Sequence, residues 1–144
     1  MEEILIKFLK LSLTVYIIRF LGVRLLFEFQ AIKKFIYSRE MLPCVKNWNS
    51  KIKMVYYSEI FSFIQSLIIA LYFMLFCYFI PSVIINLNQK VFISFLLYSA
   101  FTIVEKLRFS IMLTNYPNSL LLMDAFIYLF ISLLQFIAMG FFYN

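Results

Sequence analysis

Three carboxylates and one guanidinium occupy the positions from which chemistry could be done: Glu59, Glu105, Asp124 and Arg108. Each sits on or at the edge of a long apolar stretch. Gathered at one end of a helical bundle, they would form a buried polar cluster. Such a cluster could hold a cation, relay a proton or bind a polar ligand, because ionisable groups in apolar surroundings are functional candidates by default. It could equally be structural, with ion pairs and hydrogen bonds fixing helix register, or form a docking surface for another subunit. The structural role is preferred, since these residues fall near segment ends, where charge is cheaply accommodated.

Other chemistries are poorly provided for. The chain contains no His. That removes His-ligated haem, His-bound zinc and the common Ser-His and Cys-His nucleophile pairs. It has no C-x-x-C, no Gly-rich phosphate loop and no G-x-G-x-x-G. A carboxylate-held divalent metal serving lipid transfer would want a local D-x-x-D, which is missing. The expectation is therefore a protein that is not an enzyme, with no cofactor and no metal. Cys44 and Cys77 fall at different depths, so no disulfide between them is expected.

The elements that must position these residues are read from composition. Of 144 residues, 65% are hydrophobic, 21% aromatic and only 14% charged, against roughly a quarter charged in a soluble domain. The apolar residues come in runs of transmembrane length, without the alternation of a β-barrel. The expected fold class is all-α: a polytopic integral membrane helical bundle of three to four transmembrane helices, forming one domain over 1–144. Helices are expected at 57–86, 90–114 and 118–143, with Pro81 ending or kinking the first of these and Pro117 marking the turn before the last. The bias toward Phe, Ile, Asn, Lys and Tyr points to an AT-rich coding source. No cleavable signal peptide is expected behind the M-E-E opening.

The segment 4–29 is ambiguous, because Lys7, Lys10, Arg19, Arg24 and Glu28 interrupt it. At about 100° per residue, Lys7, Lys10, Thr14, Arg24 and Glu28 share one face and Arg19 lies opposite. The helix either lies in the interface or spans, with this stripe packed on the bundle and Arg24 paired to Glu28.

Polar stripes run along the other helices. Ser94, Tyr98, Thr102 and Glu105 are spaced i, i+4, i+8, i+11, and so are Asp124, Tyr128, Ser132 and Gln135. Glu59, Ser62, Ser66, Ala70 and Cys77 share a third face, with Ser62, Ser66 and Ala70 forming a small-xxx-small row. Unpaired polar groups are costly in hydrocarbon, so these faces should meet. The fourteen charge-free residues before Glu105 cover roughly 21 Å, short of a hydrocarbon core of roughly 30 Å. The helix should therefore continue past Val104, with Lys106 snorkelling and Glu105 pairing with Arg108 at i,i+3.

The stretch 30–56 carries Lys33, Lys34, Arg39, Lys46, Lys51 and Lys53 against Glu40 alone. The net charge of +6 is thus largely a positive-inside signal with attraction to anionic lipid, not a nucleic-acid footprint. This basic inner loop is expected on the cytoplasmic or matrix side of a bacterial inner membrane or organellar inner membrane, with the end of the last helix opposite. The expected partners are the lipid bilayer and other membrane protein subunits, with a homo-oligomer as an alternative. The functional expectation is a non-catalytic membrane protein acting by helix–helix association, as an accessory subunit or an immunity or exclusion protein. The alternative is a homo-oligomeric transporter or channel using the carboxylate/Arg cluster.

Overall fold

The computed structural model describes residues 2–34, 51–81, 83–113 and 118–143. Every regular element among them is helical. Four long helices follow in order: α1 Glu2–Glu28, α2 Lys51–Phe79, α3 Leu87–Leu113 and α4 Asn118–Phe142. After a bend at Phe29, a helical turn covers 30–34. Three helices contain stretches long and apolar enough to cross a membrane: Val55–Phe79, Leu87–Glu105 and Leu121–Phe142. At 27 residues, α1 is about 40 Å long, but its charges break the apolar run.

The boundaries have local causes. α2 begins at Lys51, so the last part of the expected basic loop, Lys53 included, is helical. It stops at Phe79, seven residues short of the expected end, because Pro81 disfavours helix in the residue before it. The Pro81 carbonyl then accepts from Ile84 N at 3.1 Å and closes the turn. α3 starts three residues earlier than expected. Asn86 Oδ1 accepts from Gln89 N at 2.9 Å while Gln89 Oε1 accepts from Asn86 N at 3.1 Å, a reciprocal capping box. Arg39, Lys46, Cys44, Trp48 and Pro117 lie outside the described residues.

The helices pack as consecutive neighbours in a ring. α1 lies against α2 and α4, α4 also against α3, and α2 meets α3 more sparsely. Leu11 and Val15 of α1, Ile69, Ala70 and Phe73 of α2, and Phe136 and Met139 of α4 are almost completely buried together. Phe136 is the hub. Its ring lies 5.6–6.3 Å from those of Tyr72, Phe73, Phe95 and Tyr98, so it touches rings from both α2 and α3. Such edge-on and tilted pairs add to plain area burial.

The structure corrects the reading of α1. The helix does not turn Lys7, Lys10, Thr14, Arg24 and Glu28 into the bundle as one inner face: Lys7 packs over the Tyr143 ring, but Arg24 and Glu28 are exposed. The helix buries Leu11, Ser12 and Val15 instead, and leaves Lys10 exposed as well. Arg24 does not pair with Glu28. Its guanidinium lies 4.4 Å above the Phe20 ring, and Glu28 meets Lys33 at 3.9 Å. Apolar burial decides the rotation, because Phe8, Leu11, Val15 and Gly22 form the less costly inner face.

One end of the bundle is closed by cations. Lys90 is 3% exposed, and its ammonium donates to the Cys77 carbonyl at 3.2 Å, in the last turn of α2. A cation there meets the negative end of the helix dipole and carbonyls that lack helical donors. Lys7 Nζ sits 3.7 Å over the Tyr143 ring. Burial, with Cys77 adding to it, pushes the Tyr143 phenol up from its ordinary value, so it stays neutral at physiological pH.

Gly140 sets the spacing of α3 and α4. A Cβ at this position would fall 2.6 Å from Val91 Cγ2. Val is stiff at χ1 and cannot easily turn aside. Gly140→Leu is expected to destabilise the bundle by about 1–3 kcal/mol, and Val91→Ala in the same chain should recover part of that loss. Denaturant unfolding in detergent micelles checks both variants, and additive costs would disprove the contact.

Candidate functional site

The polar side chains of the bundle fall into two kinds. The first satisfies itself. Ser12, Thr14, Ser62 and Thr102 each donate to the carbonyl four residues earlier, at 2.6–2.8 Å. Ser66 and Ser94 donate three residues back, to Phe63 and Val91. A hydroxyl turned onto its own helix needs no water and no ion. Ser62, Ser66, Ser94 and Ser132 are all buried. These serines of the expected stripes therefore face the interior as small packing positions, while Glu105 at the end of its stripe is exposed.

The second kind forms a network between helices, centred on α1. The Tyr16 hydroxyl donates to Glu59 Oε2 at 2.7 Å. The Arg19 guanidinium donates to Gln65 Oε1 in a short hydrogen bond. Gln65 Nε2 makes a long 3.5 Å contact to the Tyr98 hydroxyl, and the Tyr98 ring stacks on Tyr128 at 6.4 Å. One chain of polar groups thus runs from α1 through α2 and α3 to α4. Nearby, Gln135 is buried and donates to the Val15 carbonyl at 3.0 Å, and Tyr72 donates to the Ser94 carbonyl at 3.3 Å.

Only part of the expected cluster survives. Glu59 is half-buried and bonded to Tyr16. Glu105 and Arg108 do pair, at 3.8 Å, but their side chains are 58% and 70% exposed. They lie on the bundle surface and are not members of a buried cluster. Asp124 is half-buried and engaged. Among the described residues, no three carboxylate, His or Cys groups converge as a metal site would require. The helical wheel gave Glu105 an inward direction. However, α2 and α3 pack sparsely, and the partner that Glu59 finds is on α1.

Of the basic positions, Lys33, Lys34 and Lys53 are exposed. Lys51 opens α2.

Sequence reasoning missed Tyr16, Arg19, Gln65 as an acceptor, and buried Lys90. Ser12, Tyr16 and Arg19 follow i, i+4, i+7, so a second and shorter polar face on α1 was there to be read. Ser99 was missed too. It is 3% exposed, and its Oγ has no hydrogen-bond partner among the described residues.

Of the grooves among the described residues, two lie between packed helices. One of about 490 Å³ lies between α3 and α4, is mostly apolar, and includes Gly140 and Val91 in its walls. The other, of about 300 Å³, lies between α1 and α2. Tyr16, Arg19 and Arg24 line it from α1, and Ser58, Glu59 and Ser62 from α2. Two guanidiniums, a carboxylate and hydroxyls meet there, which makes this groove the candidate site. It can bind and orient a polar ligand. It offers no activated nucleophile.

No protein-family model matches the chain, and neither curated proteins nor solved structures give a match. What the fold defines is a class: an all-helical chain with three helices long and apolar enough to span a membrane.

Gln65→Leu is expected to cost about 1.5–3 kcal/mol, the scale of a hydrogen bond to a charged group. Glu105→Gln should cost under about 0.5 kcal/mol, as surface ion pairs usually do. Paired unfolding curves in one detergent check this ordering, and the reverse order would place the polar centre at Glu105 after all.

Proposed function

We propose that this chain is an integral membrane protein that acts without catalysis, by packing on other membrane helices. It would serve as an accessory subunit of a membrane complex or as an immunity or exclusion protein. The observation that carries this reading is the filled interior. Phe73, Phe136, Leu11, Ile69 and Met139 are at most 1% exposed, and Ser62, Ser66 and Ser94 bond their own helices. Among the described residues the centre of the bundle is filled by side chains, which favours packing over conduction through a single chain. Its perimeter is apolar, with Ile68, Leu71, Phe101, Phe126 and Phe141 exposed. Such a surface suits lipid or another membrane helix.

The packing of α1 supports four crossings rather than three. The basic stretch 30–56 would then face the cytoplasm or matrix of a bacterial or organellar inner membrane, with Glu2 and Tyr143 on the opposite side. An interfacial α1 would instead leave Glu2 on the side of the basic stretch. The second reading, a homo-oligomeric transporter or channel, is favoured by the charged groove at Arg19 and Glu59.

Purification in mild detergent with mass measurement separates these readings. Stoichiometric foreign subunits, or a monomer that gains one only on challenge with a pore-forming toxin, would support the partner reading. A homo-oligomer whose ion flux is lost in Glu59→Gln while assembly persists would overturn it. Reporter fusions next to Glu2 and Tyr143 are expected to report the same side, opposite to a fusion within 35–50.

A further inference from the structure

The groove between α1 and α2 is built for a ligand of particular charge, and its place on the helices says where that ligand comes from. We infer that it holds the headgroup of an anionic phospholipid, a phosphodiester. The inference rests on the membrane reading above and assigns a ligand to its charged groove.

Charge comes first. Arg19 and Arg24 against Glu59 leave one net positive charge in the groove. A phosphodiester monoanion neutralises it, whereas a zwitterionic headgroup does not. Arg24 is arranged to donate. Its guanidinium lies over the Phe20 ring at 4.4 Å, so the ring takes up its face while its N–H donors lie in the plane. Among the described residues no carboxylate forms an ion pair with it. Glu59 is held by Tyr16 through Oε2.

Depth comes second. The apolar span of α2 opens at Val55, itself in the groove wall. Glu59 lies four residues further in, about 6 Å along the helix axis. The groove therefore straddles the level at which phosphate and glycerol sit, above the acyl chains. Phe20, Val23 and Val55 provide apolar walls beside the charged groups. The volume of about 300 Å³ lies at the lower end of ligand-pocket sizes, roughly 300–1,000 Å³. Lys33, Lys34 and Lys53 are exposed at the same end, where cations concentrate anionic lipid.

The test uses the full chain, purified in mild detergent, stripped of lipid and titrated separately with phosphatidylglycerol, phosphatidylcholine and inorganic phosphate. Native mass spectrometry reads retained lipid, and a melting curve reads stabilisation. The expected result is one phosphatidylglycerol retained per chain with a raised Tm, and neither effect from phosphatidylcholine. Arg24→Gln should lower retention roughly tenfold, the scale of one charge-assisted hydrogen bond. Arg24→Lys should fall between, and Lys53→Gln should lower retention less than Arg24→Gln does. Equal retention of the two lipids, or an unaltered Arg24→Gln, overturns the site. Equal losses in Lys53→Gln and Arg24→Gln reduce it to diffuse attraction by the basic end. Stabilisation by inorganic phosphate alone makes it a soluble-anion site and overturns the lipid assignment. Release of the chain from membranes by alkaline carbonate would sink the membrane reading itself, independently of any lipid titration.

Discussion

A guanidinium two thirds of the way along a packed helix constrains everything around it. Arg19 stays charged at any physiological pH and retains much of its hydrogen-bonding demand when partly buried. The structure meets that demand with Gln65 across the α1–α2 contact, while Tyr16, one turn away, ties α1 to Glu59. With this register held, Leu11 and Val15 join the buried cluster of Ile69, Ala70 and Phe73. Lys7 reaches Tyr143, and Gln135 reaches the Val15 carbonyl. A sliding α1 would lose the polar bonds and the apolar contacts together. The most charged helix is therefore also the one that joins α2 to α4.

The interior shows how an apolar bundle carries so many polar side chains. Serines and threonines return their protons to nearby carbonyls and are left as small, nearly apolar surfaces. That lets helices approach closely at Ser62, Ser66 and Ala70, as glycine does at Gly140 against Val91. Bulk is supplied by aromatic rings grouped on Phe136. Small residues and large rings together fill the centre, so the polar stripes are packing features. The chemistry-bearing groups are displaced to the side, into the α1–α2 groove.

The two ends of the bundle also differ. At one, Lys90 and Lys7 are absorbed by a helix terminus and an aromatic ring. At the other, the cations are exposed and the groove opens. The charged groove opens at the second end, which makes that end the place to look for a ligand or a partner.

Several features were legible in the chain itself. Long apolar runs marked three helices, although the charge-free part of the one before Glu105 is too short to span by itself. Pro81 marked the end of α2, and the spacing of Ser62, Ser66, Ser94, Ser132 and Gln135 marked their inward faces, because helical period and the cost of unpaired polar groups are local rules. The rotation of α1 was not legible, since its larger charged stripe suggested one inner face and burial of Leu11 and Val15 selected the other. Glu105 and Arg108 were expected in a buried cluster and lie exposed on the bundle surface, because a wheel carries no information on whether a neighbour reaches them. The sequence by itself determined which segments are helices and which side of α2, α3 and α4 is polar. Only the tertiary structure decided that Arg19 meets Gln65 and Glu59 meets Tyr16, because those contacts depend on how four helices share one interior.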